Sequence, residues 1–171
     1  MKRKQQKLNT LFFSAIVLAL FFAFTACQTD ETCRQSKKVE VGMAFYLDTI
    51  NATTKRWVET KISLEKLSVH GIGTDSLLYR EKTVNHIRVP LKQLGEAQTC
   101  QFNLNFANQV QDTITVVYQN KLEFLSMECG SIRTHIIDTV YTSGHFIDSI
   151  TIVNRNVNTQ YVENIKLHHI K

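Results

Sequence analysis

Apolar and polar side chains alternate along several stretches of this 171-residue sequence, and this period of two constrains the fold more than any other feature. The alternation runs through residues 39–47, 102–106 and 114–118. Successive side chains of a β-strand point to opposite faces, so the pattern is typical of strands that bury one face. No stretch after the N-terminal leader shows a comparably clear helical period. We therefore expect an all-β fold.

Seven further segments are rich in β-branched and aromatic residues and are predicted as strands: 61–71, 77–80, 84–91, 122–128, 133–141, 146–153 and 162–170. In the first of them the apolar positions change phase between Leu64 and Val69, which predicts a β-bulge. Short strands without interspersed helices indicate a single antiparallel β-sandwich over residues 37–171, with a β-barrel-like fold as the alternative. Neighbouring apolar residues such as Ile136 and Ile137 favour the sandwich.

Short polar motifs are predicted to end several strands. Residues 119–121 separate two apolar runs, and Asn120 suits the positive φ of a tight turn. Residues 143–144, Ser-Gly, have the same character. We expect an antiparallel hairpin at each motif. Pro90, the sole proline, is placed at a strand end because it has no amide hydrogen to donate.

Residues 1–26 have the three parts of a bacterial export signal. A basic head at residues 2–7 precedes an apolar stretch at 11–24, and Thr25-Ala26 stand before Cys27. The apolar stretch is shorter than the roughly 20 residues that a transmembrane helix needs. This order predicts a lipoprotein signal peptide that is removed, with acyl chains of the palmitate type on Cys27. An uncleaved anchor and an ordinary signal peptide cut after Ala26 are the alternatives.

The residues that follow Cys27 predict a flexible tether. Residues 27–36 contain no apolar run, so they are expected to link the lipid to one domain at 37–171. The leader holds four of the 20 basic residues, and its removal leaves 16 basic against 15 acidic residues. A charge balance so close to neutral gives no support for a nucleic-acid partner.

The remaining cysteines suggest one disulfide bond, because disulfides persist outside the cytoplasm. Cys100 opens the alternating run that continues through residues 102–106 and is expected to be a small buried apolar side chain. This leaves Cys33 and Cys129 as the predicted pair, with three free thiols as the alternative. The cysteines and histidines lack the spacing of a zinc site, so no metal and no cofactor are predicted.

An aspartate is followed by Ser or Thr and then by an aliphatic residue at five places in the sequence. Side-chain bonds to the local backbone at strand ends would explain this choice of residues. The motif also resembles the acceptor sequence of the general protein O-glycosylation system of Bacteroidota. On that resemblance the candidate acceptors are Thr49, Ser76, Thr113, Thr139 and Ser149.

Several strings together resemble an uncharacterised lipoprotein family of gut-type Bacteroidota, a domain of unknown function. They include residues 30–34, 69–72, 75–79, 128–130, 134–135, 138–141 and 154–158. The resemblance implies an outer-membrane lipoprotein and carries no known activity. The acidic residues 28–31 are similar to surface-export signals of that phylum, which favours display toward the medium over display toward the periplasm.

No catalytic motif stands out, so we expect a non-catalytic structural or binding accessory of the cell envelope with a protein or glycan partner. Trp57 is one candidate for a sugar-stacking platform. His135 and His145, with Asp138 or Asp148, would form a metal or acid–base cluster if the 143–144 hairpin brought them together. The alternative function is an envelope- or glycan-directed hydrolase, which requires two carboxylates about 5 to 9 Å apart in a pocket.

Overall fold

The computed structural model describes residues 37–74, 76–127 and 129–171. The predicted signal peptide, the lipid site Cys27, the tether and Cys33 lie outside the described residues. Within the described part of the chain, no helix is long and apolar enough to cross a membrane.

The described residues form eleven β-strands. They are β1 (Glu40–Ile50), β2 (Trp57–Lys61), β3 (Leu64–Gly71), β4 (Leu77–Val84), β5 (His86–Pro90), β6 (Ala97–Asn105), β7 (Gln111–Ser126), β8 (Gly130–Thr142), β9 (Ser149–Ile152), β10 (Asn156–Val157) and β11 (Ile165–Ile170). Pro90 ends β5 as predicted.

The strands form two stacked sheets, which confirms the all-β sandwich rather than a single closed sheet. The five-stranded sheet has the order β2-β1-β11-β9, and β5 pairs with β1 on the same edge as β2. The six-stranded sheet has the order β10-β8-β7-β6-β3-β4. The predicted bulge is also present, since the β3–β4 register shifts between Leu64 and His70.

One strand pair departs from the expected antiparallel arrangement. β1 and β11 run parallel, with Met43 opposite Ile165 and Asp48 opposite Ile170. Parallel neighbours cannot be joined by a tight hairpin and require a long connection. Here that connection is almost the whole domain, because β1 is its first strand and β11 its last.

The core lies between the two sheets and is built from the inward positions of the alternating strands. Tyr118 is the largest fully buried side chain, and its hydroxyl donates a hydrogen bond to the Lys92 carbonyl at 2.9 Å. Burial raises the pKa of this phenol, as does its contact with Cys100. Cys100 is a free, buried thiol, as predicted.

The predicted hairpin at residues 119–121 is wrong. β7 continues through this segment to Ser126 and pairs with β8 along almost its full length. Asn120 sits in the ladder opposite His135, and its amide donates to the Gly95 carbonyl at 2.8 Å. The loop that contains Gly95 thus provides the hydrogen-bond acceptor for the Asn120 amide within the strand. This tertiary contact outweighs the local preference of Asn120 for a turn.

The predicted hairpin at residues 143–144 is also wrong, because these residues form a corner between the two sheets. Gly144 has a φ of +75° there, and the next strand, β9, pairs with β11 instead of β8. The corner is held by the carboxylate of Asp112, which is 1% exposed. It accepts hydrogen bonds from the backbone N–H groups of residues 145, 146 and 147, each at 2.8 Å, and from the Ser143 hydroxyl at 2.7 Å.

These hydrogen bonds keep Asp112 ionised. Burial alone would raise the pKa of the carboxyl, but the bonds from Ser143 and the corner backbone outweigh it and lower the pKa below its usual value. The folded pKa therefore lies below the unfolded one. Asp112 stabilises the fold fully above the unfolded pKa of about 3.9, and this stabilisation is lost as the pH falls through the folded pKa.

We expect Asp112→Ala to lower the free energy of unfolding by about 3 kcal/mol, because buried backbone donors lose a charged acceptor. Urea unfolding at pH 7 measures the change. Asp138→Ala is the matched control, since its half-buried carboxylate accepts from a single described side chain, the Gln119 amide, at 3.2 Å. Equal effects of the two substitutions, or an acid sensitivity below pH 4 that is unchanged by Asp112→Ala, would contradict the assignment.

Candidate functional site

The outer face of the five-stranded sheet carries a dense set of polar side chains. Met43 and Phe45 of β1 are buried in the core, so the alternate residues of β1 face outward, together with their ladder partners on β2 and β11. We call the charged and polar members of this set the outer ladder: Tyr46, Asp48, Glu59, Lys61, Lys166 and His168.

The first half of the outer ladder centres on Tyr46. Its hydroxyl donates to Glu163 Oε1 at 2.9 Å, and Lys61 Nζ lies 2.9 Å from Glu163 Oε2. The Lys166 ammonium group lies 4.6 Å from the centre of the Tyr46 ring, within the range of a cation–π contact. One carboxylate therefore accepts from a phenol and an ammonium group at once.

This arrangement shifts the pKa values of both Tyr46 and Glu163. Burial raises the pKa of Tyr46, and the hydrogen bond to Glu163 raises it further. Burial would raise the pKa of Glu163 as well, but the hydrogen bonds from Lys61 and Tyr46 prevail and lower it. At neutral pH the phenol remains a donor and the carboxylate an acceptor, so the network is fixed in one protonation state.

The second half of the outer ladder contains two carboxylates directly opposite each other, Asp48 on β1 and Glu59 on β2. Like charges in such a cross-strand pair repel. His168 Nδ1 lies 3.1 Å from Asp48 Oδ2, and Lys166 Nζ forms an ion pair with Glu59. The hydrogen bond to Glu59 raises the pKa of Lys166.

Asp48, Glu59 and His168 are the described residues that could share a metal ion, since their ligand atoms lie within 4.8 Å of one another. His168 is buried, and its other ring nitrogen lies 3.1 Å from the Thr151 hydroxyl. Lys166 and His168 already occupy the two carboxylates. Both carboxylates that face each other across the strands therefore have a nitrogen partner on β11.

A cleft of about 310 Å³ lies beside the first half of the outer ladder. Its walls include Lys61, His86, Tyr161 and Glu163, and Ala44 contributes a small side chain. Residues 158–164, which we call the strap, run from β10 to the start of β11 and supply Tyr161 and Glu163. The ring of Tyr161 contacts His86 edge-on, with the ring centres 5.8 Å apart.

The strap is fastened to β1 at Gly42. The Gly42 N–H donates to Asn164 Oδ1 at 3.0 Å, and the Asn164 N–H donates to the Gly42 carbonyl at 2.9 Å. The buried Asn164 amide also donates to the carbonyls of Asn154 and Asn156, both at 3.0 Å. A Cβ at residue 42 would collide with the Val162 carbonyl oxygen, so this close approach requires glycine.

Three exposed apolar side chains stand at the far end of the outer face. Trp57 is 61% exposed and pairs with Ile50, which is 52% exposed, while Ile170 is 46% exposed and lies opposite Asp48. We call Ile50, Trp57 and Ile170 the end patch. Asp48 and Glu59 border it, so an apolar centre meets a charged rim on one sheet face.

The cleft does not have the carboxylate pair that a glycoside hydrolase needs. Among the described residues that line it, Glu163 is the one carboxylate, and Lys61 and Tyr46 already bind it. Asp48 and Glu59 are outside this lining, and their oxygens approach within 4.8 Å of each other.

The candidate glycosylation residues occupy different environments. Ser76 and Ser149 are exposed, whereas Thr49, Thr113 and Thr139 are half-buried within β1, β7 and β8. Their modification stays a prediction.

The four aspartates of these motifs that the structure describes bond to segments other than the local turns that sequence reasoning suggested. Asp112 holds the β8–β9 corner, Asp48 contacts His168, and Asp138 accepts from Gln119. Asp148 accepts from the backbone N–H of Ile170 at 2.7 Å. Each of these carboxylates thus joins segments that are distant in sequence.

The structure does not bring His135 and His145 together. His135 is buried, with Nδ1 2.6 Å from Asn120 Oδ1 and its ring edge-on to Tyr118. Burial lowers its pKa. His145 is exposed at the corner, 3.2 Å from Asp112. The proposed cluster with Asp138 or Asp148 is therefore wrong, because the hairpin on which it depended is a corner between sheets.

Cys129 lies in the turn between β7 and β8 and is buried. It is not a free thiol. Its predicted partner, Cys33, lies outside the described residues, so the pairing stays a prediction. The ammonium group of Lys37 donates to the Cys129 carbonyl at 2.8 Å, which places the beginning of the described chain at this turn.

Residues 66–169 match a family of unknown function, DUF6452. The chain belongs to this family. The matched segment covers well over half of the sequence, from within β3 to within β11, and contains Glu163, Lys166 and His168. β1 and β2, which supply the rest of the outer ladder, precede it. No curated protein and no solved structure matches the chain.

Sequence reasoning missed Glu163 and Lys166 as site residues, and also the use of Asp48. A signal was available, because Glu59 and Lys61, and likewise Lys166 and His168, alternate with a period of two. Residues two apart share one face of a strand. The pairing of β1 with both β2 and β11 was needed to join these faces into one site.

We expect Gly42→Ala to displace the strap, because the added methyl group overlaps the Val162 carbonyl and the overlap costs about 2 kcal/mol or more. Thermal unfolding measures the loss of stability, and hydrogen exchange of the strap amides measures the displacement. Gly73→Ala is a control for glycine replacement in open space, although its positive φ also carries some strain. Unchanged exchange in the strap of Gly42→Ala would contradict this account.

Proposed function

We propose that this protein is a lipid-anchored, non-catalytic accessory of the bacterial outer membrane that binds a protein partner through the end patch and the neighbouring part of the outer ladder. The observation that carries the proposal is the exposure of Trp57, at 61%, beside the exposed Ile50 on β1 and on the same face as the exposed Ile170 on β11. Tryptophan is strongly enriched among the residues that dominate binding energy at protein interfaces.

The composition of the surface supports a protein partner over a sugar. Ile50 and Ile170 extend the apolar area from Trp57 across the neighbouring strands, and Asp48, Glu59, Lys166 and His168 form a polar border with satisfied hydrogen bonds. An apolar centre with a polar rim is the usual anatomy of a protein interface. A sugar platform needs free polar groups beside the ring, whereas these carboxylates are already paired.

The position of the end patch also suits presentation away from a membrane. Lys37 marks the beginning of the described chain, and β1 runs from Glu40 to Ile50, next to Trp57. Ten steps of an extended strand cover about 33 Å. A lipid anchor on Cys27 would hold the Lys37 end near the bilayer and leave the end patch on the far side.

The sequence supports a location in the outer membrane. A basic head, an apolar stretch and small residues before Cys27 form a lipoprotein signal, and residues 28–31 favour display toward the medium. A Cys33–Cys129 disulfide would fasten the tether to the β7–β8 turn. Two or three acyl chains make membrane attachment stable, whereas a single chain does not.

We expect the chain to carry lipid on Cys27 when it is made in a host with a lipoprotein pathway. The precursor should accumulate with globomycin, and the mature protein should partition into the detergent phase of a Triton X-114 extract. Cys27→Ser should abolish both behaviours, while Cys100→Ser, at a buried thiol, should retain them. Cleavage of the precursor that is unaffected by globomycin would refute lipid attachment at Cys27.

We expect Trp57→Ala to weaken partner binding by about 30-fold or more, since truncation of an aromatic interface residue costs about 2 kcal/mol or more. A photo-crosslinking residue at Ile170, on the outer face beside Asp48, captures the partner in intact cells, and purified components then give the affinity. Tyr141→Ala is the matched control, because Tyr141 is 57% exposed and lies on the six-stranded sheet. Crosslinks to glycan alone, or equal losses for both variants, would contradict the proposal.

A further inference from the structure

The β7–β8 hairpin projects beyond the sheet to which it belongs. The β6–β7 ladder ends at Gln119, whereas the β7–β8 ladder continues to Ser126 and Gly130. Beyond Asn120, β7 is therefore paired with β8 alone among the described strands. We call residues 121–133 the projecting hairpin.

The projecting hairpin carries apolar side chains that no described residue covers. Leu122 and Phe124 share one face of β7 with Tyr118, whose side chain is buried in the core. They are nevertheless 63% and 62% exposed, and Met127 in the turn is 86% exposed. We call Leu122, Phe124 and Met127 the hairpin tip. Three large, exposed apolar side chains on one projection indicate a contact surface.

The tip lies where the domain meets its tether. Lys37 Nζ donates to the carbonyl of Cys129 at 2.8 Å, in the same turn as Met127. Lys37 follows Cys27 by ten positions. A fully extended chain of this length spans at most about 35 Å. A Cys33–Cys129 bond would shorten the free path to six residues, or about 20 Å at most.

We propose that the hairpin tip docks into the interfacial region of the lipid bilayer that holds the anchor, so that the domain stands on the membrane with the end patch outward. This inference rests on the proposed lipid anchor. Arg133 lies opposite Leu122 in the ladder and therefore places positive charge on the face of the tip, at the height of the lipid headgroups, whereas Lys121 lies on the other face. Glu123 lies on the other side of the strand from Leu122 and Phe124. Aromatic and leucine side chains with basic neighbours are the usual composition of an interfacial contact.

The test uses the acylated full-length protein reconstituted into phosphatidylcholine vesicles that contain lipid brominated near the headgroup. Trp57 is the sole tryptophan, so Phe124→Trp in a Trp57→Phe background places a single fluorophore in the tip. We call this fluorophore the tip indole. We expect bromine to reduce its fluorescence by about twofold, since interfacial side chains reach roughly 5–10 Å into the boundary region. Trp57 of the unaltered protein, at the far end of β1, should be quenched little.

A second variant separates a specific contact from mere proximity. Adding Leu122→Ser and Met127→Ser to the protein with the tip indole should restore most of the fluorescence, whereas adding Leu94→Ser, at an exposed leucine outside the tip, should not. Circular dichroism of each variant checks that the fold is retained.

Each outcome decides the matter. Quenching of the tip indole that depends on Leu122 and Met127 supports docking. Vesicle-bound protein without quenching, equal quenching of Trp57 and the tip indole, or a blue shift of the tip indole without bromine dependence, as self-association would give, overturns docking and leaves the anchor in place. Protein that does not stay with the vesicles overturns the anchor and the docking together.

Discussion

The position of β1 is the constraint on which the rest of the structure depends. Its first half bonds to β5 along one edge and its second half to β2, while β11 runs parallel along the other edge. This places the outward side chains of β1, Tyr46 and Asp48, between those of β2 and β11. Each strand of the outer ladder thus comes from a different part of the chain, and the ladder exists only in the assembled sheet.

The last third of the domain crosses between the sheets repeatedly, and buried polar groups fix these crossings. The chain passes from β8 in the six-stranded sheet to β9 in the five-stranded sheet, returns to β10, and comes back as β11. Asp112 holds the first crossing through three backbone N–H groups, and Asn164 holds the last through Gly42, Asn154 and Asn156. Buried polar groups whose hydrogen bonds are all made specify one arrangement, because any alternative leaves them unpaired.

The two predicted hairpin turns were wrong because their polar side chains form hydrogen bonds with distant segments instead of with the local backbone. Residues 119–121 and 143–144 have the composition of hairpin turns, yet the first is a strand and the second a corner. Asn120 finds its partners in a loop 25 residues earlier and in His135. The hydrogen bonds of Asp112 likewise reach residues more than 30 positions away. Turn propensities reflect hydrogen bonds between a side chain and the nearby backbone. In this fold, hydrogen bonds to residues distant in sequence replace them.

The sequence by itself determined the class of fold and which side chains of the alternating strands point into the core. Alternation along β1, β6 and β7 predicted which side chains form the core, including the buried thiol of Cys100, because strand geometry directs successive side chains to opposite faces whatever the tertiary context. The parallel β1–β11 pair, the corner at Gly144, the outer ladder and the projecting hairpin were decided by the tertiary structure alone. Each depends on which distant segments become neighbours, and the choice between such pairings is made by the packing of two complete sheets rather than by any local pattern.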